Sequence, residues 1–374
     1  MKRNSTKNAG LRRPHATGSL PAMPSRYRMP AEWEPHAATW LAWPHYKDDW
    51  PGKFEPIPWV YAGIIRHLAR HERVELIVND AAAEKRARRV LDRANALRDN
   101  VRFHRWRTDR VWTRDSGCTF VECSEGAHAR ELCAIKWRFN AWAKYPNYTY
   151  YEKIGSLMAT AVGALEVRAI CGKDRVVLEG GSIDVNGQGT LLTTEECLLS
   201  EVQQRNPTMK REGYEKVFAE YLGIGNVIWL DAGIAGDDTH GHVDDITRFV
   251  APDTVVTAVE SDPNDANYEP LRENIRRLRG ATDQRGKPLA IVELPMPAPV
   301  FFEGRRLPAS YGNFYIANGL VLVPVFNDPN DRIALDALAD LFPDREVIGI
   351  YSGDLIWGFG AIHCMTQQQP QISS

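Results

Sequence analysis

The chain has almost no net charge: 46 lysines and arginines face 48 aspartates and glutamates over 374 residues, leaving a formal −2. That balance excludes a protein that binds polyanions through bulk charge, so neither nucleic acid nor an anionic membrane is expected as a partner. Long hydrophobic runs are missing too. None reaches the roughly 18–20 apolar residues that a membrane helix needs, and the N-terminus lacks the continuous apolar core of a secretory signal, so a cytoplasmic protein is expected. Cysteine is scarce, with six residues and no CxxC pair, which argues against a zinc ribbon or a dense disulfide framework. Cys118, Cys123, Cys133, Cys171 and Cys197 sit in or beside apolar stretches and are expected to be reduced, buried thiols. Cys364 stands apart.

Acid is absent from Met1 to Arg28, which holds Lys2, Arg3, Lys7, Arg12, Arg13, Arg26 and Arg28 among scattered Ser, Pro and Gly. Residues 1–28 read as a disordered basic tail, and 29–374 as one folded domain. Within that domain a strand, turn, strand, helix, strand pattern recurs. Ser182–Thr194 alternates around an NGQG turn and leads into a helix near Met209–Leu222 and a strand at Val227–Leu230. Ile246–Val259, a helix near Tyr268–Arg279 and a strand at Leu289–Leu294 repeat it, as do Phe314–Phe326, Asp331–Leu341 and Glu346–Tyr351. A weaker copy runs from Thr119 to Ile170, and an embellished one starts at Ala38, with a second helix (Ala82–Leu97) and an extra strand (Val101–Arg107). Five ββαβ units cannot each cover a sheet face alone, so the expected fold is an α/β propeller around a common axis, strands inside and helices outside. An open doubly wound sheet would need single strands alternating with helices.

Asp115, Glu179 and Asp244 each fall just before a unit's hairpin, and matching positions in a rotational repeat lie at one end of the axis. One such acid is ordinarily a turn former; three in register predict a buried anionic site that needs a cation, either a metal or a cationic substrate. His240 and His242 have HxH spacing beside Asp237, Asp238, Asp244 and Asp245, which gives a metal-dependent hydrolase some support. No third His-rich motif completes a catalytic set, His363 being the one other histidine in a motif-like setting, so no metal is expected. Cys364 in GFGAIHCMTQQ offers the other chemistry, because a thiolate near an imidazolium or a bound cation is a nucleophile. A guanidinium suits such a site: it is planar, permanently charged, and carries a fork of donors that Asp115 and Asp244 can grip.

The runs MPAEWEPHAATWLAWP, VWTRDSG, FNAW, EGGSI, GTLLTTEECLL, DDTHGHVDD, LPASYGNFYIANG and IHCMTQQ, spread from Met29 to about Pro370, resemble the agmatine deiminase and bacterial peptidylarginine-deiminase-type family. The resemblance implies the pentein fold, a five-bladed ββαβ propeller with pseudo-fivefold symmetry. It also implies a catalytic domain that hydrolyses a guanidinium to a ureido product plus ammonia through an amidino-cysteine intermediate, without a cofactor. Carried over by motif, Cys364 is the nucleophile, His242 the general acid and base, Asp115 and Asp244 the guanidinium ligands. Glu179 then orients His242 or holds a guanidinium nitrogen.

Three departures from the family pattern bear on the substrate: GFGAIHC for GGGNIHC, FNAWAK for FNAWGG, and RDSGC for RDTGP. Agmatine, whose far end is an ammonium, would call for carboxylate or aromatic groups, and Asp238, Trp112, Glu32 and Trp33 are the candidates. Free arginine would instead need a cation such as Lys144 or Arg114 for its carboxylate. Agmatine is the expected substrate. Peptidyl-arginine or free-arginine deimination, amidino transfer, a metal-dependent hydrolase and a non-catalytic guanidine or polyamine binder are the competing readings. The expected partner is a small cationic guanidino compound, and a homodimer is compatible with the sequence.

Overall fold

A hairpin, a crossover helix and a strand parallel to the hairpin's second strand form the recurring connection of this mixed α/β chain, whose computed structural model describes residues 26–124 and 131–372. In chain order, Thr119–Cys123 and Leu132–Lys136 lead through helix Ile154–Val162 to Leu165–Arg168. Asp184–Val185 and Thr190–Thr194 lead through Arg211–Leu222 to Asn226–Leu230. Thr247–Ala251 and Thr254–Val259 lead through Tyr268–Arg279 to Ala290–Pro295, and Tyr315–Ala317 and Leu320–Val325 through Asn330–Leu341 to Glu346–Tyr351. A parallel return needs a long crossover, and an amphipathic helix supplies it while covering the sheet.

The last unit joins the two ends of the chain. Gln367–Pro370 runs antiparallel to His36–Ala42, which continues through helix Ile57–Leu68 to the parallel strand Arg73–Val78 and, after helix Ala81–Arg93, to Val101–Arg105. The sequence reading starts this unit at Ala38 and leaves its antiparallel partner unassigned, because QQQP carries no alternating apolar signal.

Local chemistry sets the helix ends. Asp80 caps Ala81–Arg93 by accepting from the Ala83 N–H at 2.7 Å. Gly163 and Gly223 end their helices at φ +68° and +75°, where residues with a Cβ are strained. Tyr268–Arg279 buries Leu271 and Leu278 along one stripe and turns its arginines and glutamates outward.

Two expectations change. Cys123 and Cys133 form a disulfide across the first hairpin instead of remaining reduced, since their neighbouring strands bring the Cα atoms to 6.0 Å. Of the basic tail, residues 1–25 lie outside the described residues, while Tyr27 and Arg28 already pair with Cys123 and Glu122 on the edge of that sheet. Among the described residues no helix is long and apolar enough to cross a membrane.

Candidate active site

Each of the five units delivers a polar side chain from the segment entering its first strand. Asp115, Glu179, Asp244, Asn313 and Cys364 precede those strands by two to five residues. Three sit in single helical turns, Thr113–Ser116, Val243–Asp245 and Ile362–Met365, and Glu179 immediately precedes a fourth, Gly180–Ser182. All five residues are at least nine-tenths buried. The sequence reading found the three acids and the thiol; Asn313, inside LPASYGN, escaped it because a lone asparagine has no spacing to betray it.

Asn313 acts as a bracket for the thiol. Its amide nitrogen donates to Cys364 Sγ at 3.1 Å and to Asp245 Oδ1 at 2.9 Å, and its Oδ1 accepts from the His363 N–H at 3.0 Å. Burial and the carboxylates of Asp244, Asp245 and Asp115 push the Cys364 thiol well above its ordinary range, so a cation must arrive before a thiolate is favoured. Asp244 Oδ2 lies 3.8 Å from the sulfur.

His242 is packed behind these groups. Its Nδ1 lies 3.9 Å from Asp115 Oδ1 and 4.0 Å from Asp244 Oδ1, and its Nε2 lies 3.6 Å from Glu179 Oε2. Burial opposes its charge, but Asp115, Cys197 and Glu179 outweigh burial and hold the imidazole well above its ordinary pKa. Both His242 ring nitrogens and Asp244 Oδ1 lack a hydrogen-bond partner among the described residues. The backbone comes close here: a Cβ on Gly181 would stand 2.5 Å from His242 Nδ1 and 3.0 Å from both Asp115 Oδ1 and Asp244 Oδ2.

The acids differ in state because their neighbours differ. Glu179 is held below its ordinary range against burial by Arg205, whose Nε bonds both carboxylate oxygens at 3.2 and 3.3 Å, and by His242. Asp115 is pushed up to about 6, chiefly by burial, with Asp244 and Glu179 adding to it while His242 and the Trp142 indole oppose it. Asp244 is kept low against burial by His363, His242 and Arg248.

Two of the residues expected at a substrate's far end lie elsewhere. Glu32 faces inward: its Oε2 accepts from His363 Nε2 at 2.8 Å and from Arg114 at 3.2 Å, while Arg248 pairs with Oε1 at 3.0 Å. His363 Nδ1 in turn reaches Asp244 Oδ2 at 2.6 Å. Glu32 and His363 thus form a buried brace behind Asp244, and Arg114, offered for an arginine carboxylate, is part of the same brace. Trp33 packs, partly buried, among hydrophobic residues between neighbouring sheets and gives its carbonyl to Arg345. A carboxylate and an aromatic ring make both candidates in the sequence; the three partners of Glu32 and the packing of Trp33 between sheets put them away from the cavity.

The HxH reading also fails on geometry. His240 takes a left-handed turn (φ +64°) toward Ser200 and Glu196, so it does not share the His242 site. Two trios of ligand-type atoms do cluster, Glu179–Cys197–His242 and Asp244–Asp245–Cys364. Arg205 already occupies Glu179, and the Asn313 amide already donates to Asp245 and Cys364, so both trios carry donors where a metal would demand lone pairs.

Cys364 and Asp115 open into a cavity of about 790 Å³ that Trp112, Trp142, Tyr145, Asp238, Arg305 and Phe359 also line. The sequence profile of the Porphyromonas-type peptidyl-arginine deiminases matches residues 28–370. The chain belongs to that family. Curated relatives include the agmatine deiminases of Ectopseudomonas mendocina, 36% identical with 92% of this chain and 95% of the relative covered, and of Pseudomonas aeruginosa, also 36% identical with the same coverage. The solved agmatine deiminase of Enterococcus faecalis superposes with a TM-score of 0.84 at 31% identity, over 96% of this chain and 99% of that one.

Within this member of the peptidyl-arginine deiminase family, the departures noted in the sequence have places. Phe359, where the pattern has glycine, keeps a glycine-like backbone (φ +64°) and stacks under Arg305, 4.0 Å from its ring. Gly360 is retained next to Trp112, whose ring would meet a Cβ there at 2.7 Å. Cys118 is buried, and burial pushes its thiol up to about 12, which leaves it inert. Lys144 donates to Asp238 at the cavity wall.

Proposed function

We propose that the chain is a cysteine-dependent hydrolase acting on the C–N bonds of a linear amidine, converting agmatine to N-carbamoylputrescine and ammonia, a reaction of polyamine biosynthesis. The observation that carries this reading is one buried thiol, Cys364, opening into an acid-lined cavity with His242, Asp115, Glu179 and Asp244 packed around it. The 36% identity to curated agmatine deiminases names the substrate.

In this reading Asp115 and Asp244 grip the guanidinium nitrogens, the hydrogen-bond capacity of Asp244 Oδ1 being free to do so. The incoming cation offsets the carboxylates that hold Cys364 protonated, and the thiol loses its proton to solvent, His242 being already protonated. Sulfur adds to the guanidinium carbon, and the C–N bond to a terminal nitrogen breaks. His242 gives that nitrogen the proton with which it leaves as ammonia, and an S-amidino-cysteine remains. Water then loses one proton to His242 as it attacks the same carbon; the remaining hydroxyl proton passes to solvent as the C–S bond breaks, releasing the ureido product and returning the sulfur as thiolate. Glu179, anchored by Arg205, holds His242 in line and stabilises its charge.

We also infer that the five units sit around one pseudo-fivefold axis, as a single catalytic domain over 29–374. Support comes from the convergence of one residue per unit on a common site. Substitution Cys364→Ala tests the function: ammonia release from agmatine should fall by at least about a thousandfold while calorimetric binding persists. Undiminished release by the variant would sink the thiol mechanism.

A further inference from the structure

The far wall of the cavity carries a charge arrangement that the deiminase reading does not use. Asp238, 8% exposed, is the acid placed to receive a substrate's distal ammonium, yet its carboxylate is already engaged. Lys144 Nζ donates to Oδ1 at 2.7 Å, Arg305 approaches the same oxygen at 3.4 Å, and the Tyr145 hydroxyl donates to Oδ2 at 2.6 Å. Two cations therefore contact one carboxylate at this wall, although Asp48, Asp49 and Glu303 also line the cavity.

The loop that carries Lys144 is held firmly. Ala141, Trp142 and Ala143 all adopt left-handed backbone (φ +53°, +59°, +53°), and Asn140 caps the turn through the Ala143 N–H. Gln203 ties the loop to the Asp238 segment, its amide donating to the carbonyls of Trp142 and Asp238 at 3.1 and 3.2 Å. Trp142 also bonds Asp115 at 2.9 Å, so one short loop touches both ends of the cavity. Lys144 is thereby presented to Asp238 by a braced backbone, not by a freely swinging surface arm.

We propose that Lys144 is a specificity-determining residue: it occupies the Asp238 carboxylate as an internal counter-cation, so the site discriminates weakly in favour of a cationic far end and admits guanidines whose far end is neutral or a carboxylate. This rests on the deiminase reading of the same cavity. A distal ammonium must share Asp238 with Lys144 and feels its charge, while a distal carboxylate meets Lys144 and Arg305 as partners.

The experiment compares KM for agmatine, n-butylguanidine and 4-guanidinobutyrate in the full chain and in Lys144→Met and Lys144→Arg, by ammonia release. In Lys144→Met the KM for agmatine should fall roughly two- to fivefold relative to that for butylguanidine, the size expected for a partly exposed ion pair, and that for guanidinobutyrate should rise by a similar factor. Lys144→Arg, which keeps the charge, should hold the original ratios. Unchanged ratios in Lys144→Met, or a relative rise for agmatine, overturn the assignment of Lys144 while leaving the deiminase standing. No ammonia from any of the three compounds with the unaltered chain removes both.

Discussion

In the proposed mechanism Asp115 is the residue whose protonation bears most directly on turnover. Its carboxyl titrates near 6 in the folded chain against an ordinary 3.8, so the folded state holds its proton longer than the unfolded state. The resulting contribution favours folding below pH 3.8 and is lost as pH rises toward 6, while guanidinium capture requires the ionised form and gains over that same interval. The acid limb of kcat/KM for agmatine should therefore fall near pH 6. Trp142 donates to Asp115 Oδ2 and favours its anion, so Trp142→Phe should move that limb to higher pH; an unmoved limb in the variant's pH profile would assign it to another group. His363 and Glu32 show how far the cavity's acids depend on others: neither lines the cavity, yet they set the orientation of Asp244 through bonds of 2.6 and 2.8 Å. A buried ionic brace of this kind adds little to stability but leaves an uncompensated charge if one member is removed.

At the scale of elements, chain stops and close approaches matter more than propensity. Gly223 ends helix Arg211–Leu222 at φ +75°, and a Cβ there would stand 2.3 Å from the Tyr27 carbonyl oxygen, where the N-terminal strand crosses the helix end. Gly223→Ala combines a left-handed penalty with a backbone clash and should cost about 1–3 kcal/mol, read as a lowered Tm in thermal unfolding. An unchanged Tm would mean the segment at Tyr27 moves aside freely. The Cys123–Cys133 bridge closes the first hairpin about a 10-residue separation. In the chain-entropy model such a loop contributes about 2–3 kcal/mol, so reductant should lower the Tm without altering the Cys364 region. Equal melting with and without reductant would leave the bridge energetically silent.

Over the whole molecule, the decisive feature is that chain ends complete one sheet. His36–Ala42 buries Trp40, Leu41 and Ala42, and its antiparallel neighbour is Gln367–Pro370 from the C-terminus. Gln369 accepts from the Trp40 indole at 3.2 Å and Gln368 from Arg114 at 2.5 Å, so even the polar side chains of that strand are engaged inside. A chain ending at Thr366 should lose cooperative unfolding in circular dichroism, because it uncovers a fully buried strand edge beside the turn that carries Cys364. A sharp transition in the truncated chain would show the sheet to be dispensable.

The ββαβ repeats were legible because alternating strands and a 3.6-residue helical period survive in any window, as at Ile246–Val259 and Tyr268–Arg279. Asp115, Glu179 and Asp244 stand out in the sequence by their register in the repeat, and Cys364 and His242 by their motifs; what the fold adds is that all five are buried close together. Pairing of the two ends was not legible, since QQQP takes its strand character from a partner some 330 residues away and not from its own pattern. Glu32 and Asp238 make the same point for charge. Both are acids within the motif runs, but only the fold decides that one meets His363, Arg114 and Arg248 in the interior while the other meets Lys144 at a cavity wall. Residue type fixes which charge is available; the neighbours brought by distant segments, and the water they exclude, decide what that charge does.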